Sequence, residues 1–476
     1  MIADRRRPFF HAKTDPGARL MPNFSRPVTT EIDPSTANAG APTAPPAGVP
    51  PTTVSLNDLQ QAGTAQLLEW GEHFHLRNFP PRPRHALVTD LARAYLTNGV
   101  AVEAEGMVDQ AADSPNSPAV LRWPAFNFMP CPEDASISPA LVKGAGLRPG
   151  LRVRCWLRAG RGGGEKPLVL DRITSIEGVP VSQWQTPTHF DQLTPLFPNQ
   201  RLILETPKYP SVTGRAIDLL STLGCGQRGL ILAPPRVGKT VMLKEIARSI
   251  AVGSPDVSLI LLLIDERPEE VTDFRREVQG AEIYSSTFDE PIARHAQVAD
   301  LVAERAKRLV ELGRPVVVLL DSLTRLARAF NNLQSGKGRI MSGGLDAKAL
   351  GKPKKFFGAA RNTEEGGSLT ILATCLVDTG SRMDEVIFEE FKGTGNMEIH
   401  LDRSLSDKRL FPAIHVTQSG TRRDELLFHP DEFALVAALR KQLSQIPAIE
   451  AMEVLIHNIQ ATRTNAELLL AGLRGT

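Results

Sequence analysis

The sequence predicts an α/β protein, in which a small helical bundle and a small β-barrel precede a larger domain built on a parallel sheet. Two observations predict the sheet domain. First, four apolar runs alternate with helical patterns, as expected for strands buried on both faces of a parallel sheet; they are 230–232, 259–264, 316–320 and 369–374. Second, residues 233–240 lie between the first run and a helix-like segment at 241–248, which is the strand, loop and helix order of a phosphate-binding loop.

The segments before the sheet domain differ in composition and periodicity. Residues 1–53 are rich in Pro, Ala and Thr and are expected to be disordered, because they bury too little apolar surface to offset their ordering entropy. Ser55 has the position of an N-cap, and leucines continue a helical spacing to about residue 98, so a helical bundle is predicted for 54–99. Short β-like runs between Gly- and Pro-rich turns predict a barrel for 100–180; the runs are 119–123, 151–157 and 168–173. Residues 181–220 are expected to connect the barrel to the sheet domain, 221–476.

Composition narrows the class of protein. With 476 residues, of which 42% are hydrophobic, the chain is long enough for two or three globular, soluble domains. No apolar stretch approaches the roughly 18 residues that span a bilayer, so membrane insertion is not expected. The four cysteines are scattered, with neither metal-ligand nor disulfide spacing, which favours a reducing cytoplasm. A net charge of only +2 argues against a uniformly basic nucleic-acid binder, so any such binding requires local basic clusters.

The loop at 233–240 has the residues that a nucleoside triphosphate and Mg²⁺ require. Backbone N–H groups at a helix N-terminus converge on phosphate oxygens, Lys239 adds a positive charge, and Thr240 offers a hydroxyl to Mg²⁺. Ala233 stands where the consensus has its first glycine, and the alternative is a chance Gly-Lys-Thr tripeptide in an ordinary loop. The predicted nucleotide contacts are Pro235, Arg236, Val237, Gly238, Lys239, Thr240 and Val241.

Acidic residues follow two of the predicted strands. Asp321 ends the run 316–320 and is expected to help hold Mg²⁺ with Thr240; its alternative role is to cap the following helix. The run 259–264 is followed by four further acids, one of which can orient the water that attacks the γ-phosphate. The residues alone do not say which acid this is; the four are Asp265, Glu266, Glu269 and Glu270.

Several long motifs, in order along the chain, closely resemble the bacterial Rho family of transcription termination factors. The motifs are 265–271, 286–291, 320–328, 356–362, 364–370, 389–396 and 419–422. The resemblance is dense from about residue 185 to the C-terminus and weaker across 55–180. It implies a homohexameric ring that uses ATP to translocate along and unwind RNA and that acts on the RNA polymerase elongation complex. It also implies a RecA-like motor domain and an OB-fold barrel of the cold-shock type.

The resemblance assigns further residues to ATP hydrolysis. It implies that Glu266 is the catalytic base for water and that Arg267 is a neighbouring active-site arginine. Arg325 corresponds to a second arginine that senses phosphate, and Arg422 to an arginine finger that reaches the nucleotide held by the adjacent subunit. Phe411 matches a residue that stacks on adenine, although the residues alone favour a place in the core.

The resemblance also locates single-stranded RNA. Two Gly-punctuated basic loops match those that line the central pore; the first is 335–344, and the second combines 379–384 with 392–395. Their candidate phosphate contacts are Lys337, Arg339, Arg382 and Lys392. Without the resemblance, each loop would be interpreted as a surface turn. In the barrel, Phe126 and Phe128 match a pair of aromatics that stack on bases, with Glu165 as a further contact. Glycines and an arginine of that motif are replaced, so the sequence does not predict a base preference.

Two other functions fit the same motifs. One is an RNA-binding regulator that keeps the fold without processive motor action. The other is a subunit of a rotary ATP synthase or protein-export ATPase, which shares the motor fold. The set Lys239, Thr240, Glu266, Asp321 and Arg422 argues against the first, and the preceding bundle and barrel argue against the second.

Overall fold

The computed structural model describes residues 52–74, 83–110, 118–160, 167–334 and 342–473. The predicted disordered tail, 1–53, lies outside the described residues except for its last two. The helices are α1 Leu56–Gln61, α2 Thr64–His73, α3 Arg84–Thr97, α4 Pro139–Gly144, α5 Val212–Leu220, α6 Lys239–Gly253, α7 Pro268–Glu277, α8 Ile292–Glu311, α9 Leu323–Asn332, α10 Gly351–Gly358, α11 Arg382–Lys392, α12 Arg403–Asp407, α13 Pro430–Leu443, α14 Ala448–Ala461 and α15 Asn465–Ala471.

The strands form two sheets. They are β1 Thr53–Ser55, β2 Ala101–Asp109, β3 Ala119–Arg122, β4 Ala135–Ile137, β5 Arg152–Ala159, β6 Leu168–Ile176, β7 Val179–Pro180, β8 Pro195–Leu196, β9 Arg228–Ala233, β10 Ser258–Glu266, β11 Glu282–Thr287, β12 Pro315–Asp321, β13 Arg361–Thr363, β14 Ser368–Leu376, β15 Met397–His400 and β16 Gly420–Thr421. The first sheet contains β1 to β7, and the second contains the rest.

Helices α1 to α3 form the predicted small bundle. The Ser55 hydroxyl accepts a hydrogen bond from the backbone N–H of Asp58 at 3.3 Å, so Ser55 caps α1 as its sequence position indicated. Leu56, Leu67 and Leu91 are fully buried and pack with the barrel in one hydrophobic cluster. The bundle and the barrel therefore share a core.

The N-terminal sheet closes on itself. Strand β2 pairs with both β3 and β5, and the order β2-β3-β4-β6-β5 forms a five-stranded barrel where a small barrel was predicted. Strands β3, β5 and β6 correspond to the three predicted runs. Strand β2 was not predicted, because Glu103 and Glu105 interrupt its apolar residues, and Ala104 and Gly106 supply little apolar surface at two of its buried positions.

The C-terminal sheet has the predicted parallel core. Its order is β11-β10-β12-β14-β9-β15, all parallel, with β16 antiparallel at one edge. The four predicted apolar runs are β9, β10, β12 and β14. Strands β11 and β15 were missed because one is largely polar and the other is four residues long.

Both faces of this sheet are covered, which explains the continuous apolar strands. Ile231 and Leu261 pack in a core with helices α5 to α7 and α13 to α15. Leu230 and Leu262 point the other way, into a core with α8 to α11. Consecutive side chains of a strand face opposite sides, so burial of both sides requires an apolar residue at every position.

Part of the predicted connector is integrated into the sheet domain. Helix α5 lies in that segment, and its Ile217 and Leu219 are 1% exposed within the core of the sheet domain. Strand β8 pairs with β13 of the sheet. The compact domain thus begins before residue 221.

Candidate nucleotide site and RNA-facing surfaces

The predicted phosphate loop connects β9 to α6. Strand β9 ends at Ala233, and α6 begins at Lys239. Gly238 precedes the helix with a φ of 87°, a left-handed conformation that favours glycine. The loop therefore presents backbone N–H groups at the N-terminus of a 15-residue helix, the arrangement that binds phosphate. Ala233 is fully buried at the end of β9, where its methyl group is accommodated in the core.

Lys239 lies between two buried carboxylates. Its Nζ donates hydrogen bonds to Oε1 of Glu266 at 3.0 Å and to Oδ1 of Asp321 at 2.5 Å. Glu266 is 3% exposed and Asp321 is fully buried. The adjacent strands β10 and β12 end at these two acids, and Leu263 pairs with Asp321 in the ladder. The sheet thus brings the three predicted residues together.

Burial and the charges of neighbouring side chains shift the pKa values of Glu266 and Lys239. Burial raises the pKa of Glu266, and the neighbouring Asp321 carboxylate raises it further, against the opposing effect of Lys239. Burial lowers the pKa of Lys239, but Asp321 and Glu266 outweigh burial, so its pKa lies above the ordinary value. Lys239 remains charged, and Glu266 is a stronger base than an exposed carboxylate.

Asp321 offers a free oxygen to a cation. Its Oδ1 accepts a hydrogen bond from Thr374 Oγ1 at 2.7 Å, while its buried Oδ2 has no hydrogen-bond partner in the described part of the chain. Thr240 Oγ1 donates to Glu270 Oε2 at 3.2 Å. Carboxylate and hydroxyl oxygens are hard ligands, so these residues fit Mg²⁺. Thr374 was not predicted; its signal was a hydroxyl within an otherwise apolar strand.

The structure distinguishes the four acids that the sequence left open. Glu266 contacts Lys239, whereas Glu270 contacts Thr240. The Asp265 side chain is 41% exposed, and Glu269 is exposed in the first turn of α7. By its position, Glu266 is therefore the candidate base, in agreement with the family resemblance.

The predicted arginines occupy different positions. Arg325 Nη1 lies 3.8 Å from Glu266 Oε1 and 3.8 Å from Asp265 Oδ2, at the edge of the carboxylate cluster. Arg267 is exposed at the N-cap of α7, next to Glu266 in the chain. Arg325 is therefore beside the carboxylate cluster in space, and Arg267 is beside it in the chain.

Arg422 lies at the opposite end of the sheet from Lys239. Its backbone N–H donates to Asn396 O at 2.8 Å, and Asn396 Oδ1 accepts from the backbone N–H of Arg228, the first residue of β9, at 2.8 Å. The phosphate loop follows the last residue of the same strand. The exposed Arg422 is therefore separated from its own chain's phosphate loop by the length of β9.

Phe411 lies beside the phosphate loop. A Cβ atom added to Gly238 would be 3.3 Å from a ring carbon of Phe411, so the ring is close to that backbone. The Phe411 side chain is 47% exposed. Its interpretation as a core residue is wrong, and its face is accessible for stacking.

Lys392 and Arg382 do not lie in one loop, contrary to our prediction. Arg382 begins α11 and Lys392 ends it, so about 15 Å of helix separates them. The helix forms because Ile387 and Phe391, four residues apart, are fully buried on one face. Both basic side chains are exposed. Lys337 and Arg339 lie outside the described residues.

The two barrel phenylalanines are in different environments. Phe126 is partly buried, edge-on to His85 with ring centroids 4.8 Å apart. Phe128 is fully buried against Tyr284 of the sheet domain, with ring centroids 4.7 Å apart. The preceding residue, Asn127, accepts a hydrogen bond at its backbone O from Arg294 Nη2 at 2.8 Å. The prediction that Phe128 stacks on a base is therefore corrected, because no face of its ring is accessible. Glu165 lies outside the described residues.

Within the described ranges, no helix is both long and apolar enough to cross a membrane.

Comparisons with known proteins agree with this geometry. Residues 214–421 match the nucleotide-binding domain of the ATP synthase alpha/beta family. This range contains the phosphate loop and both buried carboxylates, so the chain has an ATPase-type nucleotide-binding domain. A solved structure, an ATPase from the type III secretion system of pathogenic bacteria, matches with a TM-score of 0.51 and 23% identity, over 59% of this chain and 86% of that one. That similarity shows the fold alone.

Curated relatives that match over most of the chain are named transcription termination factor Rho. The protein of Akkermansia muciniphila is 52% identical over 421 residues, 88% of each chain. The protein of Cereibacter sphaeroides is 47% identical over 87% of this chain and 97% of its own length. The protein of Aquifex aeolicus is 46% identical over 88% of this chain and 95% of its own length. This chain belongs to the Rho family of transcription termination factors.

Proposed function

We propose that this chain is an RNA-dependent ATPase that works as a homohexameric ring, moves along single-stranded RNA in the 5′-to-3′ direction and unwinds it. In the cytoplasm it would bind nascent RNA and release the transcript from RNA polymerase. The observation that carries the proposal is the position of Lys239 between Glu266 and Asp321, in a member of this family. The names of the relatives support the role in termination.

The cluster suggests how nucleotide binding prepares the site for hydrolysis. Phosphate oxygens compete with Glu266 and Asp321 for the Lys239 ammonium, because all are negatively charged acceptors. When Lys239 turns toward phosphate, Glu266 loses its main cationic partner and can accept a proton from water. Mg²⁺, held through Thr240 and Asp321, would neutralise phosphate charge. Phe411 would stack on adenine.

Arg422 supports the proposed ring. At the far end of β9 it cannot serve the phosphate loop of its own chain, but it is exposed and can serve that of a neighbouring subunit. A guanidinium supplied across a subunit boundary stabilises transition-state charge only when the interface is closed. Hydrolysis would then depend on assembly.

The RNA contacts are proposed for exposed cations and for one aromatic ring. Arg382, at the start of α11, is exposed next to the described end of the first basic loop, since Gly343 packs against its backbone. Electrostatic contacts to phosphate tolerate any sequence and so permit stepping. Phe126 remains a candidate stacking surface on the barrel. Lys392, at the other end of α11, belongs to a different surface and is a weaker candidate for the same contact.

The test is ATP hydrolysis by the purified full-length protein with and without poly(C), together with unwinding of an RNA duplex that carries a 5′ or a 3′ single-stranded tail. We expect strong stimulation by RNA and unwinding from the 5′ tail, with Lys239→Ala as the inactive control. High turnover that is independent of RNA would indicate an export-type or rotary ATPase. RNA binding with unchanged low turnover would indicate a regulator without motor action.

A further inference from the structure

A group of three potential metal ligands, two of them buried and the third, His85, partly buried, lies where the helical bundle meets the barrel. His85 is the second residue of α3, while Cys131 and Glu133 lie in the loop before β4. One ligand atom from each of the three residues lies within 4.8 Å of the other two. His85 Nδ1 is 2.7 Å from Glu133 Oε1. The group is far in sequence from the nucleotide site and plays no part in the function proposed above.

The carboxylate of Glu133 is buried without enough partners. Glu133 is fully buried, and within the described residues its Oε2 has no hydrogen-bond partner. Its Oε1 accepts from His85 and, at 3.5 Å, from Gln60 Nε2. A buried carboxylate oxygen without a partner is strongly unfavourable, and a bound ion is one way to satisfy it.

We propose that His85, Cys131 and Glu133 bind a divalent transition-metal ion of the zinc type. Imidazole nitrogen, thiolate sulfur and carboxylate oxygen are the three donor types that zinc uses, and a thiolate with an imidazole disfavours Mg²⁺ and Ca²⁺. Water would complete a four-coordinate site. The ion would link α3 to the barrel loop, so its effect would be on stability.

The required movements are small. Metal–ligand bonds of about 2.0–2.3 Å place tetrahedral ligand atoms roughly 3.3–3.8 Å apart, so atoms now within 4.8 Å of one another need shifts of about 1 Å. Binding would replace the proton shared by His85 and Glu133 and release the Cys131 thiol proton to solvent. Cys131 Sγ now donates only a weak hydrogen bond, to Met129 O at 3.1 Å. No oxidation or reduction is involved.

The simpler alternative is a hydrogen-bonded His85–Glu133 pair with no metal. That pair explains the contact of Oε1 but leaves Oε2 without a partner and gives Cys131 no role. The adjacent Asp134 lies outside this group of three: its Oδ2 accepts the backbone N–H of Cys131 at 2.9 Å and is paired with Arg122, while its buried Oδ1 has no hydrogen-bond partner among the described residues.

The test uses metal-free, full-length protein titrated with Co²⁺, whose thiolate complexes absorb in the near ultraviolet, followed by displacement with Zn²⁺. We expect saturation at one ion per chain and a higher thermal unfolding midpoint with Zn²⁺. Cys131→Ala should abolish the thiolate band, and His85→Ala and Glu133→Gln should weaken binding about 100-fold or more, since losses of outer-shell partners already cost 10–100-fold.

Two matched controls separate ligation from damage to the fold. Cys155 is a buried cysteine in β5 of the same barrel, and His73 is an exposed histidine at the end of α2. Cys155→Ala and His73→Ala should bind Co²⁺ as the unmodified protein does. The proposal is overturned if the folded, unmodified protein shows neither the band nor the thermal shift, or if the band survives in Cys131→Ala.

Discussion

Arg422→Ala provides the most direct test of the proposal that one subunit completes the active site of another. Arg422 is held at the start of β9, and Lys239 follows its end. Six residues of strand at about 3.3 Å each span roughly 17–20 Å, which is longer than an arginine side chain. We therefore expect the substitution to leave the nucleotide site of its own chain intact and to remove the finger from the neighbouring site. The expected loss in turnover is about a thousandfold, equivalent to about 4 kcal/mol of transition-state stabilisation.

The assay mixes two inactive proteins. Arg422→Ala chains keep the lysine, and Lys239→Ala chains keep the finger. In randomly mixed rings at equal amounts, about one quarter of the head-to-tail interfaces pair an intact lysine with an intact finger. RNA-stimulated ATP hydrolysis should then recover toward about a quarter of the normal rate if the interfaces act independently. Arg403→Ala, at an exposed arginine of α12, is the control and should hydrolyse ATP normally.

Two results would refute this reasoning. Mixed hexamers, verified by native mass spectrometry and shown to bind RNA, that remain inactive at every ratio would exclude a simple role across the interface. An Arg422→Ala ring that turns over at the normal rate would remove the assignment altogether.

Four further predictions follow from the buried residues. Lys239→Ala should abolish phosphate release while native mass spectrometry still detects the hexamer, because the ammonium binds phosphate and makes no predicted subunit contact. Glu266→Gln should retain ATP binding in an equilibrium assay but lose hydrolysis, since an amide cannot take a proton at neutral pH; normal turnover would transfer the role to another carboxylate. Phe128→Ala should lower the free energy of unfolding in urea by about 3–5 kcal/mol because its ring is fully buried, whereas Phe126→Ala should mainly weaken single-stranded RNA binding measured by fluorescence anisotropy. Burial raises the pKa of Asp218, a residue of α5, from its ordinary 3.8 to about 6. The protonated Asp218 carboxyl therefore stabilises the folded state fully below its ordinary pKa of 3.8, and this stabilisation is lost as the pH rises through the raised pKa of about 6. Between pH 5 and 7 the free energy of unfolding should therefore fall by about 1 kcal/mol more in the unmodified protein than in Asp218→Asn.

Features that depend on neighbouring residues in the chain were predictable from the sequence. The phosphate loop is one continuous segment, and four strands are continuous apolar runs because both faces of the sheet are buried. The N-cap at Ser55 is likewise a local hydrogen bond. Strands β11 and β15 lacked such a pattern, since edge position or short length reduces the apolar surface they bury.

Contacts between distant segments were decided by the tertiary structure. Lys239 meets Glu266 and Asp321, 27 and 82 positions away, only because parallel strands end at one edge of the sheet. That convergence makes Glu266 the candidate base among four acids that the residues alone could not rank. Packing of the barrel on the sheet domain buries Phe128 and leaves Phe126 partly exposed, although the resemblance matches the two to one pair of aromatics.

Tertiary structure also separates residues that we grouped from the sequence, and it brings together residues that are far apart in the chain. Eleven residues of α11 place Arg382 and Lys392 at opposite ends of a helix. His85 and Glu133 meet across 48 positions, so the scattered cysteine pattern gave no sign of a metal site at Cys131. Sequence patterns record the periodicity of one element, whereas the composition of a site depends on how several elements pack, and that is determined by the fold as a whole.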